Sequence, residues 1–201
     1  MSPPKALVVL AHPDPRSFNH ALARAVRDGF EVAGATCELR DLHAEGFDPV
    51  LGADEARGRP SPDPRVVAHV GALRAADVLA VVHPNCWGAP PAMMKGWMDR
   101  VFAPGAAYAF VKGTDQGDAP VGLLRTRAAL VVNTSNTPAA REAEAFGDPL
   151  DRIWRDCLLG YCGVARVERV VLRVVATSTP GERAAWLDQV RQTAASLVPD
   201  A

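Results

Sequence analysis

Apolar residues in this chain follow two rhythms. Unbroken Val- and Leu-rich runs at residues 5–11, 77–83 and 128–133 have the length of strands buried on both faces. Residues 36–42 and 166–176 read as two more strands. Between them the spacing changes. Phe18, Leu22, Val26 and Phe30 recur at helical intervals, with Ser17 placed as an N-cap and Gly34 as the stop. Residues 65–76 and 92–102 are helical, the latter through Met93, Met94, Trp97, Met98 and Val101. A further helix is expected over about 148–161, and a closing one over 180–197. The stretch 45–64, rich in Gly, Pro and Asp, is the longest irregular segment and is expected to be a functional or a mobile loop.

Strands that alternate with helices imply βαβ crossovers and a parallel sheet with helices on both faces. Five such units in 201 residues suit one domain, 1–201, built as a doubly wound five-stranded α/β sheet of the flavodoxin type. In such a sheet, ligands bind beyond the carboxyl ends of the strands. Three of those ends lead into unusual loops: 12–19 after the first strand, 84–91 after the third and 133–138 after the fourth. A parallel sheet delivers all three to one edge, so they converge on one site.

Each loop carries its own chemistry. The first opens a helix whose free N–H groups and partial positive charge suit a phosphate, with His12, Arg16, Ser17 and Asn19 as added donors. It holds no GxGxxG, which disfavours a Rossmann dinucleotide grip. In Pro84-Asn-Cys-Trp-Gly-Ala-Pro-Pro91 the prolines stiffen the loop. Gly88 lets a ligand approach the backbone, and Trp87 can pack on a flat ring. Asn133-Thr-Ser-Asn-Thr137 offers small polar groups to the edge of a heterocycle. His83, at the end of the third strand, reads as a core histidine rather than a base, and no spacing supports a Ser/His/Asp triad or a metal site.

Composition narrows the partners. A formal net charge of −1 without any basic run excludes a nucleic-acid or anionic-membrane surface as the main partner. No apolar run reaches the length of a membrane span, and no signal-peptide pattern precedes the first strand, so a cytoplasmic address is expected. Cys37, Cys86, Cys157 and Cys162 form no CxxC or zinc spacing and read as reduced thiols.

Laid side by side, these segments resemble the flavodoxin-like NAD(P)H:quinone oxidoreductase family of the DT-diaphorase and drug-activity-modulator type. The resemblance rests on Ala11-His-Pro-Asp-Pro-Arg-Ser-Phe-Asn19, Asp41-Leu-His-Ala-Glu-Gly-Phe-Asp-Pro49 and Pro91-Ala-Met-Met-Lys-Gly-Trp-Met-Asp-Arg-Val-Phe102, with Cys162-Gly163 before the last strand. It implies a bound flavin, FAD by the match of Arg16–Asn19 and FMN in some shorter relatives. It also implies a homodimer with its sites at the subunit interface. Carried over by position, His12, Ser17, Phe18 and Asn19 would meet the flavin phosphates. Pro84, Asn85, Cys86, Trp87 and Gly88 would flank the ring, and Asn133, Thr134, Ser135 and Asn136 would bind its polar edge. Tyr108 would close over the substrate beside Trp87, with Phe110 where a second Tyr often stands. Better-known members have a Thr-Thr-Gly-Gly-like turn in place of 133–136, and a downstream Tyr and His that assist hydride transfer. Here 139–148 contains neither.

The implied activity is ping-pong: NAD(P)H reduces the flavin, and a quinone-like small-molecule acceptor then takes the electrons in the same pocket. Donors from 133–136, Asn133 and Asn136 above all, would stabilise the charge that develops on the ring, each worth roughly 3 kcal/mol. The rival reading is a non-catalytic flavoprotein, either an electron carrier or a regulatory subunit of a transporter. A carrier is expected to show an acidic docking rim, which a net charge of −1 does not suggest.

Overall fold

The computed structural model describes residues 2–114 and 117–199. Five parallel strands form its sheet: β1 (Lys5–Leu10), β2 (Thr36–Asp41), β3 (Val78–Pro84), β6 (Ala128–Ser135) and β7 (Arg166–Arg173), in the order β2-β1-β3-β6-β7. The sheet therefore starts between β1 and β3 and winds outward in both directions, which opens a crevice at their carboxyl ends. β1, β3 and β6 are buried along almost their whole length, as their unbroken apolar runs require.

Helices cover both faces. α1 (Phe18–Val32) and α7 (Pro180–Ala195) pack on one, where Leu22, Val26, Phe30 and Val190 meet Val8, Val82 and Leu130. α3 (Pro64–Ala75) and α4 (Ala92–Val101) cover the other, where Leu73, Met94 and Trp97 meet Leu7, Leu79 and Val131. Gly29 lets α1 and α7 meet closely, since a Cβ there would lie 2.3 Å from the Arg191 carbonyl oxygen.

Five segments depart from the sequence reading. The stretch 103–127, left without elements, contains an antiparallel hairpin of β4 (Tyr108–Thr114) and β5 (Gly117–Gly122). Its strands pair only with each other, so no buried apolar run marks them. β6 runs on to Ser135 because Thr134 and Ser135 keep their register with β7. β7 ends at Arg173 rather than 176, and a short 3₁₀ turn follows at Val175–Thr177. Residues 45–64 contain a short helix, α2 (Ala53–Ala56), and are held by the buried Arg100 of α4. Its guanidinium donates to the Asp48 carbonyl (2.6 Å) and Glu55 Oε1 (3.1 Å). The helix expected at 148–161 begins as α6 (Pro149–Arg152) and continues as a π-helix over Ile153–Gly160, after the short α5 (Ala139–Ala145). No helix among the described residues is long and apolar enough to cross a membrane.

Candidate active site

The three loops do meet. The carboxyl ends of β1, β3 and β6 open into a cleft of about 800 Å³. On its first wall, Ser17 precedes α1 but caps nothing. Its hydroxyl is hydrogen-bonded instead to His20 Nδ1 (2.9 Å), and His20 Nε2 bonds Asp41 Oδ2 at the end of β2 (2.9 Å). The first turn of α1 is thus left without a side-chain acceptor, and Ser17, Phe18 and Asn19 line the cleft. Asn19 is buried and donates through Nδ2 to Thr134 Oγ1 (3.0 Å), which ties the first loop to the third. His12 also lines the cleft, its Nδ1 accepting from the Asp14 amide, and burial holds it below the ordinary imidazole range. Arg16 is exposed to solvent, pairs with Asp14 and is not among the residues that line the cleft.

The second loop is a tight reversal. Cys86 and Ala89 exchange both backbone hydrogen bonds at 3.0 Å, while Trp87 (φ 60°) and Gly88 (φ 74°) take left-handed conformations. Two positive φ values in a two-residue turn define type I′. Asn85 Oδ1 accepts the Gly88 amide (2.8 Å), and the turn presents Trp87 fully exposed at the cleft mouth. Pro84, Asn85 and Gly88 line the cleft with it, whereas Cys86 does not, and burial pushes the Cys86 thiol up, away from a reactive thiolate.

The third loop splits by depth. Thr134, Ser135 and Asn136 reach the cleft, but Asn133 is fully buried beneath it. Its Nδ2 faces His83 Nε2 (3.1 Å) and its Oδ1 accepts from Arg169 Nε (2.8 Å). Asn133 therefore supports the floor and cannot donate to a bound ring, which corrects the sequence expectation. The reason is register: β6 remains paired through Ser135, and at 133 the strand turns its side chain into the layer that packs on Trp154 and His83. His83 is the core histidine that was expected. Its Nδ1 donates to the Pro84 carbonyl (2.8 Å), its Nε2 accepts from Trp154 Nε1 (2.9 Å), and burial lowers its pKa to about 4.

Sequence reasoning missed Glu142. It is 2 % exposed, the one buried side chain of α5, and lines the cleft. Its carboxylate accepts from Asn85 Nδ2 (3.1 Å) and pairs with Arg173 at the end of β7. Nothing in the spacing of 85, 142 and 173 announces that meeting. Phe146 is exposed beside the same cleft, and a single Phe after the stretch 139–145 carries no sequence signal of that position.

Tyr108 and Phe110 lie elsewhere. They stack edge-on at 5.7 Å on the hairpin, with Tyr108 against Tyr161, outside this cleft. Within one chain they do not close over it.

What remains suits one kind of ligand. The cleft lining offers a helix terminus without a side-chain cap and a serine hydroxyl, which suit a phosphate. It also offers Trp87, Phe146 and the Asn136 amide, which suit a flat ring with a polar edge. A flavin fits that donor set. Among the described residues no cluster of His, Cys, Asp or Glu could hold a metal ion.

Comparison with known proteins agrees with this class of site. The family model for the flavodoxin-like fold matches residues 4–197. The NAD(P)H dehydrogenase [quinone] 1 of Rattus norvegicus is 26% identical over 92% of this chain and 74% of its own. An uncharacterized NAD(P)H oxidoreductase of Haemophilus influenzae is 31% identical over 81% of this chain and 80% of its own. Among solved structures, the NAD(P)H:quinone oxidoreductase from Methanothermobacter marburgensis superposes with a TM-score of 0.80 at 26% identity, covering 97% of this chain and 99% of its own. The chain belongs to the flavodoxin-like NAD(P)H:quinone oxidoreductase family, and it is an oxidoreductase.

Proposed function

We propose that this enzyme uses a flavin held in the β1/β3/β6 cleft to pass electrons from NAD(P)H to quinone-like acceptors by a ping-pong cycle. The observation that carries the proposal is a single cleft lined both by an α1 terminus lacking a side-chain cap and by Trp87. When bound, a flavin accepts a hydride from reduced nicotinamide and returns the electrons to an acceptor, and the protein supplies binding, orientation and electrostatics.

Ser17, Phe18 and Asn19 serve the phosphate end, while Pro84, Asn85 and Trp87 bound the ring. The amide of Asn136 faces its polar edge, with Oδ1 fixed by the Ala176 amide (2.9 Å) so that Nδ2 remains to donate. Glu142 sets this wall by holding Asn85 and Arg173 together. These groups account for the half of the cofactor that FMN and FAD share. The adenylate of FAD would extend past Arg16, which projects into solvent beside Asp14.

The outer wall of the substrate pocket comes from a second copy of the chain. Phe110, Val111, Val121 and Leu123 are exposed on the hairpin, an apolar patch that a homodimer would bury while bringing its Tyr108 and Phe110 to the neighbouring cleft.

The test is direct. The purified protein is expected to be yellow and to oxidise NADPH or NADH with menadione, giving parallel double-reciprocal lines. Denaturation should release a flavin whose identity distinguishes FAD from FMN. Colourless protein that takes up neither flavin would overturn the reading.

A further inference from the structure

Ser17, His20 and Asp41 form a side-chain chain that starts at the cleft and ends in a largely buried carboxylate. Ser17 Oγ lies 2.9 Å from His20 Nδ1, and His20 Nε2 lies 2.9 Å from Asp41 Oδ2. The His20 and Asp41 side chains are 10% and 18% exposed. Asp41 is fixed in turn, because its Oδ1 accepts the amides of His43 (3.1 Å) and Ala44 (3.2 Å). Serine is a favoured N-cap, and at this position the obvious use of its oxygen would be to cap α1. It is turned to a histidine instead.

That geometry has a consequence for the hydroxyl proton. A carboxylate only accepts, so the Nε2 proton of His20 points to Asp41. In the neutral ring Nδ1 then bears a lone pair and takes the Ser17 proton, which leaves only oxygen lone pairs facing the cleft. Such a face repels an anion. When the ring is an imidazolium, Nδ1 donates to Ser17 Oγ and the hydroxyl proton is released toward the cleft. Ser17 is then a donor to an anion.

We propose that Asp41, His20 and Ser17 form a proton relay that turns the Ser17 hydroxyl from acceptor to donor when the phosphate of the flavin binds, so that cofactor capture takes up one proton. This inference rests on the flavin reading above. The charged groups facing His20 from the neighbouring elements are consistent with it. Asp41 from β2 favours the imidazolium. His12, whose ring centroid is 6.3 Å away, and His43 beyond β2 oppose it, while Asp14 lies beside His12. Burial holds His12 below the ordinary imidazole range, which weakens its opposition. The one bond formed is the Nδ1–H bond of His20, and the one broken is that of the solvent or buffer acid that supplies the proton. One proton moves from solvent to His20 Nδ1, and the Ser17 hydrogen bond reverses direction.

Proton uptake makes affinity depend on pH with a fixed sign. Flavin binding weakens as pH rises, approaching tenfold per pH unit (about one proton linked) above the ionisation of the free relay. The experiment uses the full chain stripped of flavin and titrated calorimetrically with FAD, FMN and riboflavin, in buffers of differing ionisation enthalpy. FAD and FMN are expected to bind with uptake approaching one proton, and riboflavin, which lacks phosphate, with none. His20→Gln and Ser17→Ala should both abolish the uptake and flatten the pH dependence. Ser17→Ala changes a residue at the cleft surface, and its unfolding midpoint and circular dichroism report whether the fold is retained. Wild-type binding of FAD without proton uptake, or uptake unchanged in Ser17→Ala, overturns the relay. A chain that binds none of the three flavins at any pH overturns the flavin reading itself, which is a different result.

Discussion

The two walls of the cleft use the same residue types to opposite ends. On the α1 side the hydrogen-bond chain from Asp41 through His20 stops at Ser17, whose hydroxyl faces the ligand space. On the β6/β7 side the charges close on one another: Glu142 on Arg173 and Asn85, Arg169 on Asn133 and Asp148. His83 there holds a single tautomer, because Pro84 takes its proton and Trp154 donates to its other nitrogen. A network that closes on itself sets shape, while one that ends in the open meets a ligand. Changes to the closed wall should register first in stability, and changes facing the ligand in binding and rate.

Glu142 is the sharpest test of the closed wall. Glu142→Ala leaves Arg173 and Asn85 unpaired at a half-buried edge of the cleft, which should cost about 2–3 kcal/mol, less than the roughly 3–5 kcal/mol of a fully buried ion pair. Urea unfolding of the flavin-stripped chain should show that loss. Glu142→Gln keeps an acceptor for Asn85 and should recover part of it. Equal midpoints for wild type and the Ala variant would mean that the wall does not depend on this pair.

His83 gives the next largest effect, and it carries a pH signature. Its folded pKa of about 4 lies below the unfolded value of about 6.5, so the unfolded state binds the extra proton between those limits. Stability should therefore fall as pH drops from 6.5 toward 4, by about 3 kcal/mol from this group. His83→Phe should flatten that acid limb. It should also lower stability at pH 7 by about 1–3 kcal/mol, because Trp154 Nε1 loses its acceptor while Asn133 Nδ2 keeps the backbone carbonyl of residue 83.

Asn136 belongs to the ligand-facing surface and should behave in the opposite way. Asn136→Ala is expected to slow flavin reduction by NAD(P)H on the order of 100-fold, the value of one well-placed donor. Its unfolding free energy should shift by less than about 1 kcal/mol, since the side chain is exposed. Stopped-flow reduction and urea unfolding separate the two. A loss of only a fewfold in rate would remove Asn136 from the proposed donor set.

The contrast also explains what could be read from the sequence. The five-stranded sheet was legible because its strands are apolar on both faces, and the three loops because a parallel sheet must bring them to one edge. Ser17, Asn19, Pro84, Trp87 and Asn136 followed from that convergence. Asn133 was misplaced by depth alone: period-2 alternation assigns a face only while the strand continues, and β6 outran its apolar run by three polar residues, Asn133, Thr134 and Ser135. Glu142 and Asp41 could not be found by spacing, because their partners Asn85 and His20 lie 57 and 21 residues away on different elements. Ser17 and His20, three residues apart at the start of α1, were not paired because Ser17 reads as an N-cap. The hairpin was invisible for a related reason. Its apolar side chains Phe110, Val111 and Val121 face outward, so no core pattern records it.

Trp87 should show the smallest change, and one of opposite sign. A large aromatic at φ 60° occupies the first central position of a type I′ turn, where Asn followed by Gly is the favoured pair and Gly88 already supplies the second. The ring is fully exposed, so no packing in the single chain offsets that backbone cost. Trp87→Asn should therefore raise the stability of the flavin-stripped chain by about 0.5–1 kcal/mol, while the KM for menadione rises because the ring face at the cleft mouth is lost. A gain in stability paired with a loss in acceptor binding is what a strained residue kept for its ligand produces. If the Asn variant were less stable instead, Trp87 would have a packing role, and the division between shape-setting and ligand-meeting groups would have to be redrawn at that turn.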